Sequence, residues 1–228
     1  MDDALIYYKK GLDIFTALAD ETGTAESRRE LSVSYYKLGI AAKLTHDLDS
    51  AVTYFKKDIE ICKALAAETG SEVFRRDLSI SYTELGDIER SIGHLNDALK
   101  YYEESFEICK ILVEESSTVE SRRDFAGCNN KLGSMTESNE DLIAAQKYYE
   151  DELDLRESIV AEAKNNISFL WELAVTLHNL GIFYYNKLHD RERAIQAFLQ
   201  VLELESEQDS SKLEEVKNSA REILRRYF

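Results

Sequence analysis

Small residues recur at a nearly fixed interval along the whole chain. Glycines stand 47, 47 and 48 residues apart, at Gly39, Gly86, Gly133 and Gly181. Alanines stand 47, 47, 47 and 49 residues apart, at Ala4, Ala51, Ala98, Ala145 and Ala194. A period of about 20 to 50 residues is typical of a solenoid, in which each unit buries its apolar face only against its neighbours. The sequence therefore predicts an array of similar units.

Each unit has the pattern of a helical hairpin. The chain has no proline, so the strongest helix breaker is missing from its entire length. Apolar residues lie at helical spacing before each glycine, as in Leu78, Tyr82 and Leu85, and also after each alanine. The segments ETGT, ETGS and ESST separate the units, with a Gly or Ser to end one helix and a Thr or Ser to cap the next. The recurring Gly and Ala are predicted to be points of close helix contact, and Cys62 and Cys109 are predicted to be one buried packing position used twice.

These residues resemble the tetratricopeptide repeat family. Its pattern is a Leu-Gly pair in a first helix, then a small residue and an aromatic in a second helix. The matching sets are Leu38-Gly39 with Ala51 and Phe55, Leu85-Gly86 with Ala98 and Tyr102, Leu132-Gly133 with Ala145 and Tyr149, and Leu180-Gly181 with Ala194 and Phe198. The usual repeat has about 34 residues and ends with proline, so this chain looks like the long-helix variant of bacterial multidomain proteins.

The repeat and the resemblance together predict an all-α fold, a single superhelical solenoid of about ten stacked antiparallel helices over residues 1–228. The predicted segments are 1–22 (an uncovered second helix), 24–70 (repeat 1), 71–117 (repeat 2), 118–165 (repeat 3), 166–208 (repeat 4) and 211–228 (a C-terminal capping helix). The first helix that would cover residues 1–22 is missing. We therefore expect this chain to be a segment of a longer array of repeats. That uncovered helix would also allow end-to-end self-association.

Composition excludes several functions. The net charge of −16 repels phosphate backbones and anionic lipid, so neither nucleic acid nor membrane is an expected partner. An odd number of cysteines and the absence of a signal peptide or long apolar run favour a cytoplasmic protein. The sequence has no glycine-rich phosphate loop and no His-Glu-x-x-His or Cys-x-x-Cys pattern. It therefore predicts neither a cofactor nor enzyme activity, and it predicts that His46 and His189 are solvated turn residues.

Arginine pairs recur near the start of three first helices, at Arg28-Arg29, Arg75-Arg76 and Arg122-Arg123. A cation in the first turn of a helix opposes the helix dipole and needs compensation. The nearest acidic residues in the sequence close the preceding helices, at Glu21, Glu68 and Glu115. Structural ion pairs are the favoured interpretation, and anion binding is the alternative. The acidic segment 137–164 is interpreted as a solvated helix face, with a docking surface for a basic partner as the alternative.

The resemblance implies where a partner would bind. In tetratricopeptide repeat proteins, first helices line a concave groove that binds extended peptides or partner helices. The corresponding positions carry Tyr36, Lys37, Ile40 and Lys43; Thr83, Glu84, Asp87 and Arg90; Asn130, Lys131, Ser134 and Glu137; and His178, Asn179, Ile182 and Tyr185. This surface is chemically mixed, and the family's carboxylate clamp is not reproduced.

Two functions remain open from the sequence. The first is an interaction scaffold that binds a protein or peptide in its groove, where Tyr36, His178 and Tyr185 would supply binding energy and Asn130 and Asn179 would bond the peptide backbone. The alternative is a structural or regulatory arm of a larger bacterial signalling or defence protein, with no ligand of its own.

Overall fold

The chain is all-helical, as predicted. The computed structural model describes residues 2–163, 166–206 and 210–227, and these residues form ten α-helices and no strand. The helices are α1 (Asp2–Thr22), α2 (Ala25–Leu44), α3 (Leu48–Thr69), α4 (Glu72–Ser91), α5 (Leu95–Glu115), α6 (Val119–Ser138), α7 (Leu142–Glu162), α8 (Ile167–Asn186), α9 (Arg191–Glu203) and α10 (Ser211–Tyr227). The side chain of Ala4 and the predicted boundaries at 165 and 208 lie outside the described residues.

The chain divides into two compact units, Met1–Glu115 with α1 to α5 and Ser116–Phe228 with α6 to α10. Within each unit, helices that are neighbours in sequence pack against each other, and α10 packs on both α8 and α9. This is the hairpin packing that the sequence predicts. A single solenoid over residues 1–228 stays a prediction.

Polar side chains define where the helices begin. The N-caps of α2 and α6 are Thr24 and Thr118, and each side chain accepts a hydrogen bond from the backbone N–H three residues later, at 3.1 Å. Ser71 has the same position before α4, but its side chain makes no capping bond. Gly70 ends α3 in the left-handed region with φ 65°, a conformation in which a residue without Cβ is not strained.

The recurring small residues are points of helix contact, as predicted. Ala51, Ala98, Ala145 and Ala194 have no exposed surface. A Cβ added to any of the four recurring glycines would lie 2.6–2.8 Å from an aromatic ring of the following helix, and those rings belong to Phe55, Tyr102, Tyr149 and Phe198. Because carbon atoms prefer separations of about 3.5–4.0 Å, the ring occupies the space that a side chain would need. Because the glycine has no side chain, an aromatic ring of the second helix can pack directly against the backbone of the first helix in each hairpin.

Each unit has its own apolar core. In unit 1 the core includes Ala51, Phe55, Leu85 and Ile88, and in unit 2 it extends from Ala145 through α8 and α9 to Ala220 of α10. Cys62 and Cys109 are both buried, which confirms the packing role predicted for them. No described helix combines the length and the apolar run that a bilayer crossing needs.

Candidate functional site

The predicted site residues lie on the first helices of the hairpins. We call the side of unit 1 formed by α2 and α4 the first-helix face of unit 1. We call the side of unit 2 formed by α6 and α8 the first-helix face of unit 2. Each face carries a cavity lined mainly by side chains of its own two first helices.

The cavity of unit 1 has a volume of about 150 Å³ and is partly open to solvent. Val33 and Tyr36 of α2 and Ile80 of α4 form apolar walls, and Asp58 of α3 lies at the back. Burial raises the pKa of the Tyr36 hydroxyl to about 12, and the negative charges of Glu84 and Asp58 add to the shift. The predicted residue Tyr36 therefore lines a cavity that also contains the acidic side chains of Asp58 and Asp77.

Asp58 is the most buried charged group of this cavity, with only 2% of its surface exposed. The Ser32 hydroxyl of α2 donates a hydrogen bond to Asp58 Oδ1, and the Ser81 hydroxyl of α4 donates one to Oδ2. The Cys62 thiol also donates to Oδ1, with Sγ 3.4 Å away. Burial raises the pKa of the Asp58 carboxyl, while these three hydrogen bonds oppose that shift. One carboxylate thus connects three successive helices.

The predicted charged residues of unit 1 pair with each other. Lys43 Nζ on α2 lies 2.8 Å from Glu84 Oε2 and 3.7 Å from Asp87 Oδ2 on α4. The hydroxyl of Tyr102 donates to Asp87 Oδ1 at 2.7 Å, and it also interacts with Arg90. These groups hold α2, α4 and α5 together, whereas Lys37 is exposed. Of the two predicted lysines of α2, Lys37 is therefore more available to a partner than Lys43.

Two further predicted residues of unit 1 contact the protein itself. Thr83 Oγ1 lies 2.8 Å from Ser105 Oγ of α5. Ile40 packs against the apolar core of the unit. Their structural contacts leave Tyr36 and Lys37 as the main contributors of unit 1 to a binding surface.

The cavity of unit 2 is larger, about 280 Å³. Five of its lining residues are predicted site residues: Asn130, Ser134, Glu137, Asn179 and Ile182. Amide groups on both α6 and α8 therefore border one space, which suits hydrogen bonding to an extended peptide backbone.

Glu137 anchors one side of this cavity. The hydroxyl of Tyr149 donates to Glu137 Oε2 at 2.8 Å, and Lys187 Nζ lies 3.5 Å from Glu137 Oε1.

The predicted residue Lys131, also on α6, is half-buried and does not line the cavity.

Two predicted residues of α8 contact the C-terminal helix instead. His178 Nε2 lies 2.9 Å from Ser219 Oγ of α10, and burial lowers the pKa of the His178 imidazole. The Tyr185 ring lies 5.5 Å from the ring of Tyr227. Helix α10 therefore covers part of the first-helix face of unit 2.

Sequence reasoning missed a buried acid in each unit. Glu152 of α7 accepts hydrogen bonds from Asn130 Nδ2 and Thr176 Oγ1, both at 2.9 Å, and Arg156 Nε lies 3.8 Å away. Burial raises the pKa of the Glu152 carboxyl, while these hydrogen bonds and the Arg156 charge oppose that shift. The signal was present in unit 1, because Asp58 lies three residues after Phe55 and four before Cys62, on one helix face.

The arginine pairs form structural ion pairs, but the predicted partners are wrong by one hairpin. Arg28 pairs with Glu68, Arg75 with Glu115 and Arg122 with Glu162. Each glutamate ends the second helix of the same hairpin, because antiparallel packing brings that end beside the start of the first helix. The hydrogen bond from Arg75 lowers the pKa of Glu115. Glu21, which ends the helix before Arg28, is not its partner.

One group of side chains has the proximity that a metal site requires. Ligand atoms of Glu89, His94 and Asp97 lie within 4.8 Å of one another at the turn between α4 and α5. His94 Nδ1 lies 2.9 Å from Glu89 Oε2, so a histidine–carboxylate contact accounts for the proximity of these two residues. His46 and His189 occupy exposed turns with positive φ, as the sequence predicts for solvated turn residues.

Comparisons with known proteins identify the fold. Residues 79–117 match the model of the tetratricopeptide repeat family, and a search of curated proteins finds no match. The structure of BtubC (BKLC) from P. vanneervenii has a TM-score of 0.67 and 15% identity, and the similarity covers 100% of this chain and 93% of that one. A putative kinesin light chain from Podosopora anserina with TPR-like repeats has a TM-score of 0.54 and 15% identity, with 99% and 94% covered. Similarity at this identity shows the shared fold.

Proposed function

We propose that this chain, a tetratricopeptide-repeat-like array whose residues 79–117 match the repeat family itself, is a non-enzymatic scaffold that binds an extended peptide on its first-helix faces. The fold supports a role in protein interaction in general. The observation that carries the finer proposal is the cavity on each first-helix face, because the cavities contain predicted partner-binding residues in both units.

The two cavities offer complementary chemistry. In unit 2, Asn130 and Asn179 present amide donors and acceptors beside the apolar side chain of Ile182. In unit 1, Tyr36 and Ile80 present apolar surface beside carboxylates. Peptide recognition uses contacts of each kind, since backbone hydrogen bonds give affinity and side-chain pockets give specificity.

The proposal predicts a binding loss when Asn179 is replaced. A random peptide display library is selected on the full chain, and the affinities of the selected peptides are measured by fluorescence anisotropy. Asn179→Ala is expected to weaken binding about tenfold, because a lost hydrogen bond in a desolvated contact costs about 1–2 kcal/mol. Asn179 is exposed, so its replacement should leave the fold intact.

Asn96→Ala provides the matched control, because Asn96 is an exposed residue of the second helix α5. It should leave the affinity within about twofold, as surface changes away from a site usually do. Equal affinities of the wild type and the Asn179→Ala variant for every selected peptide would contradict the proposal.

The exposed face of α1 supports self-association as an additional proposal. Tyr7 and Ile14 are 71% and 64% exposed, and Leu18 shares their helix face. We expect light scattering after size exclusion to show a concentration-dependent dimer. Ile14→Lys should shift that equilibrium to the monomer, whereas Ile143→Lys should not, although Ile143 is also exposed. A monomer at all concentrations would contradict this proposal.

A further inference from the structure

The carboxylate of Asp58 is a buried charge without a counter-ion. Its hydrogen-bond partners are neutral: the Ser32 and Ser81 hydroxyls and the Cys62 thiol. Among the described residues, no Lys, Arg or His forms an ion pair with it. An ionised carboxylate that is buried without a partner costs several kcal/mol, and burial already raises the pKa of this carboxyl. A bound cation would offset that cost, so this site favours the arrival of a cation.

The buried acid of unit 2 differs in this respect. Glu152 is 4% exposed, against 2% for Asp58, but Arg156 on its own helix lies 3.8 Å from it. Glu152 does not line the cavity of unit 2, whereas Asp58 lines the cavity of unit 1. The uncompensated acid is thus the one that a ligand can reach.

The cavity in front of Asp58 has the size and lining of a side-chain pocket. A single water molecule needs about 10–15 Å³ of such space, and this cavity offers about 150 Å³. Val33, Tyr36 and Ile80 line it with apolar surface, and Asp77 adds a second carboxylate. Asp77 is already paired with Arg29 at 3.0 Å, so Asp58 is the acid that lacks compensation.

A lysine side chain combines the two properties that this pocket requires. Its four-carbon stem can pack on apolar walls while the terminal ammonium reaches a carboxylate. Oδ1 of Asp58 already accepts from the Ser32 hydroxyl and the Cys62 thiol, and Oδ2 accepts from the Ser81 hydroxyl, so a bidentate guanidinium would have to displace a donor from Oδ1. The ammonium is a compact point charge that can use the remaining lone pair of Oδ2.

We propose that the cavity between α2 and α4 is a specificity pocket for a lysine side chain of the bound peptide, with Asp58 as its counter-ion and Val33, Tyr36 and Ile80 around its stem. This inference rests on the proposed peptide-binding function and names the partner chemistry of one subsite. The acidic chain, with a net charge of −16, would also attract a basic peptide over longer distances.

The test uses peptides selected on the full chain from a random display library, resynthesised with each lysine replaced by norleucine. Norleucine keeps the apolar stem and removes the charge. We expect one lysine position at which this replacement weakens binding more than about tenfold, because truncating one partner of a buried charge pair costs about 2–5 kcal/mol. Arginine at that position should bind more weakly than lysine.

Variants of the protein test the same contact between Asp58 and the peptide lysine by changing Asp58. Asp58→Asn should weaken binding of the lysine peptide by a similar factor and should not weaken binding of the norleucine peptide further. Glu89→Gln is the matched control, a buried acid of the same unit that does not line the cavity, and should leave the affinity within about twofold. The norleucine comparison uses the wild-type protein, so it stands even if the Asp58 variant does not fold.

The outcomes separate the two proposals. If norleucine binds as well as lysine at every position while Asn179→Ala still weakens binding, the lysine pocket is wrong and the peptide-binding function stands. Both proposals are wrong if no peptide is selected, or if substitutions on both first-helix faces leave the peptide affinity unchanged.

Discussion

Replacing Gly39 by alanine is expected to destabilise the wild-type chain and to stabilise a Phe55→Ala variant. In the wild type, the new Cβ would lie 2.8 Å from the Phe55 ring, and that ring is completely buried. Overpacking of this kind costs about 1–3 kcal/mol, which exceeds the roughly 1 kcal/mol that alanine gains over glycine inside a helix. The net loss in the free energy of unfolding should be up to about 2 kcal/mol.

Phe55→Ala alone should cost about 3–5 kcal/mol, because it removes a large buried side chain and leaves a cavity. The three atoms nearest to the added Cβ all belong to that ring, so without the ring the alanine at position 39 is expected to contribute its helix propensity. The double variant should therefore be more stable than Phe55→Ala by up to about 1 kcal/mol. Urea denaturation of the four proteins, followed by circular dichroism, measures the coupling, which should be about 1–3 kcal/mol.

Gly11→Ala is the control for helix propensity. Gly11 lies in α1 of the same unit, and a Cβ added there meets nothing within 4 Å. This variant should be stabilised by up to about 1 kcal/mol in both backgrounds. Additive effects of Gly39→Ala and Phe55→Ala would show that the ring does not hold the space beside Gly39.

The helix contact at the glycines could be predicted from the sequence because it recurs, whereas the structure shows that the contacting group is an aromatic ring. A contact between positions separated by a constant distance in every hairpin leaves a periodic trace, and Gly86 with Tyr102 repeats what Gly39 does with Phe55. The same periodicity indicated that the recurring arginine pairs form structural ion pairs. It could not assign their partners, because an acid at the end of every second helix fits the preceding arginine and the following one equally well in sequence.

Features that break the repeat were the ones that sequence reasoning missed. Position 58 and its equivalents carry Asp58, Ser105 and Glu152, so no single residue type marks the site. Hydroxyl and amide partners come from two neighbouring helices, and their identities change from one hairpin to the next. The contact of His178 with Ser219 had no repeat signal either, since α10 has no second helix after it in the described residues.

The second large effect concerns Glu152, whose replacement by alanine should destabilise the chain by about 3 kcal/mol. Thr176 is buried and would lose its hydroxyl's acceptor, and the amide of Asn130 would lose its bond as well. Each buried donor left without a partner costs about 1–3 kcal/mol. Arg156 would keep its pair with Glu172, so the full cost of an isolated buried charge should not appear.

Glu152→Gln separates this hydrogen-bonding role from simple packing. The amide has nearly the same shape and keeps a carbonyl oxygen for one of the two donors, so less than half of the alanine effect should remain. Asp154→Ala, at an exposed position of the same helix, should change the free energy of unfolding by less than about 0.5 kcal/mol. Urea denaturation decides among these values. If alanine and glutamine at position 152 destabilise the chain equally, the buried carboxylate is not what joins α6, α7 and α8, because only alanine removes both acceptors.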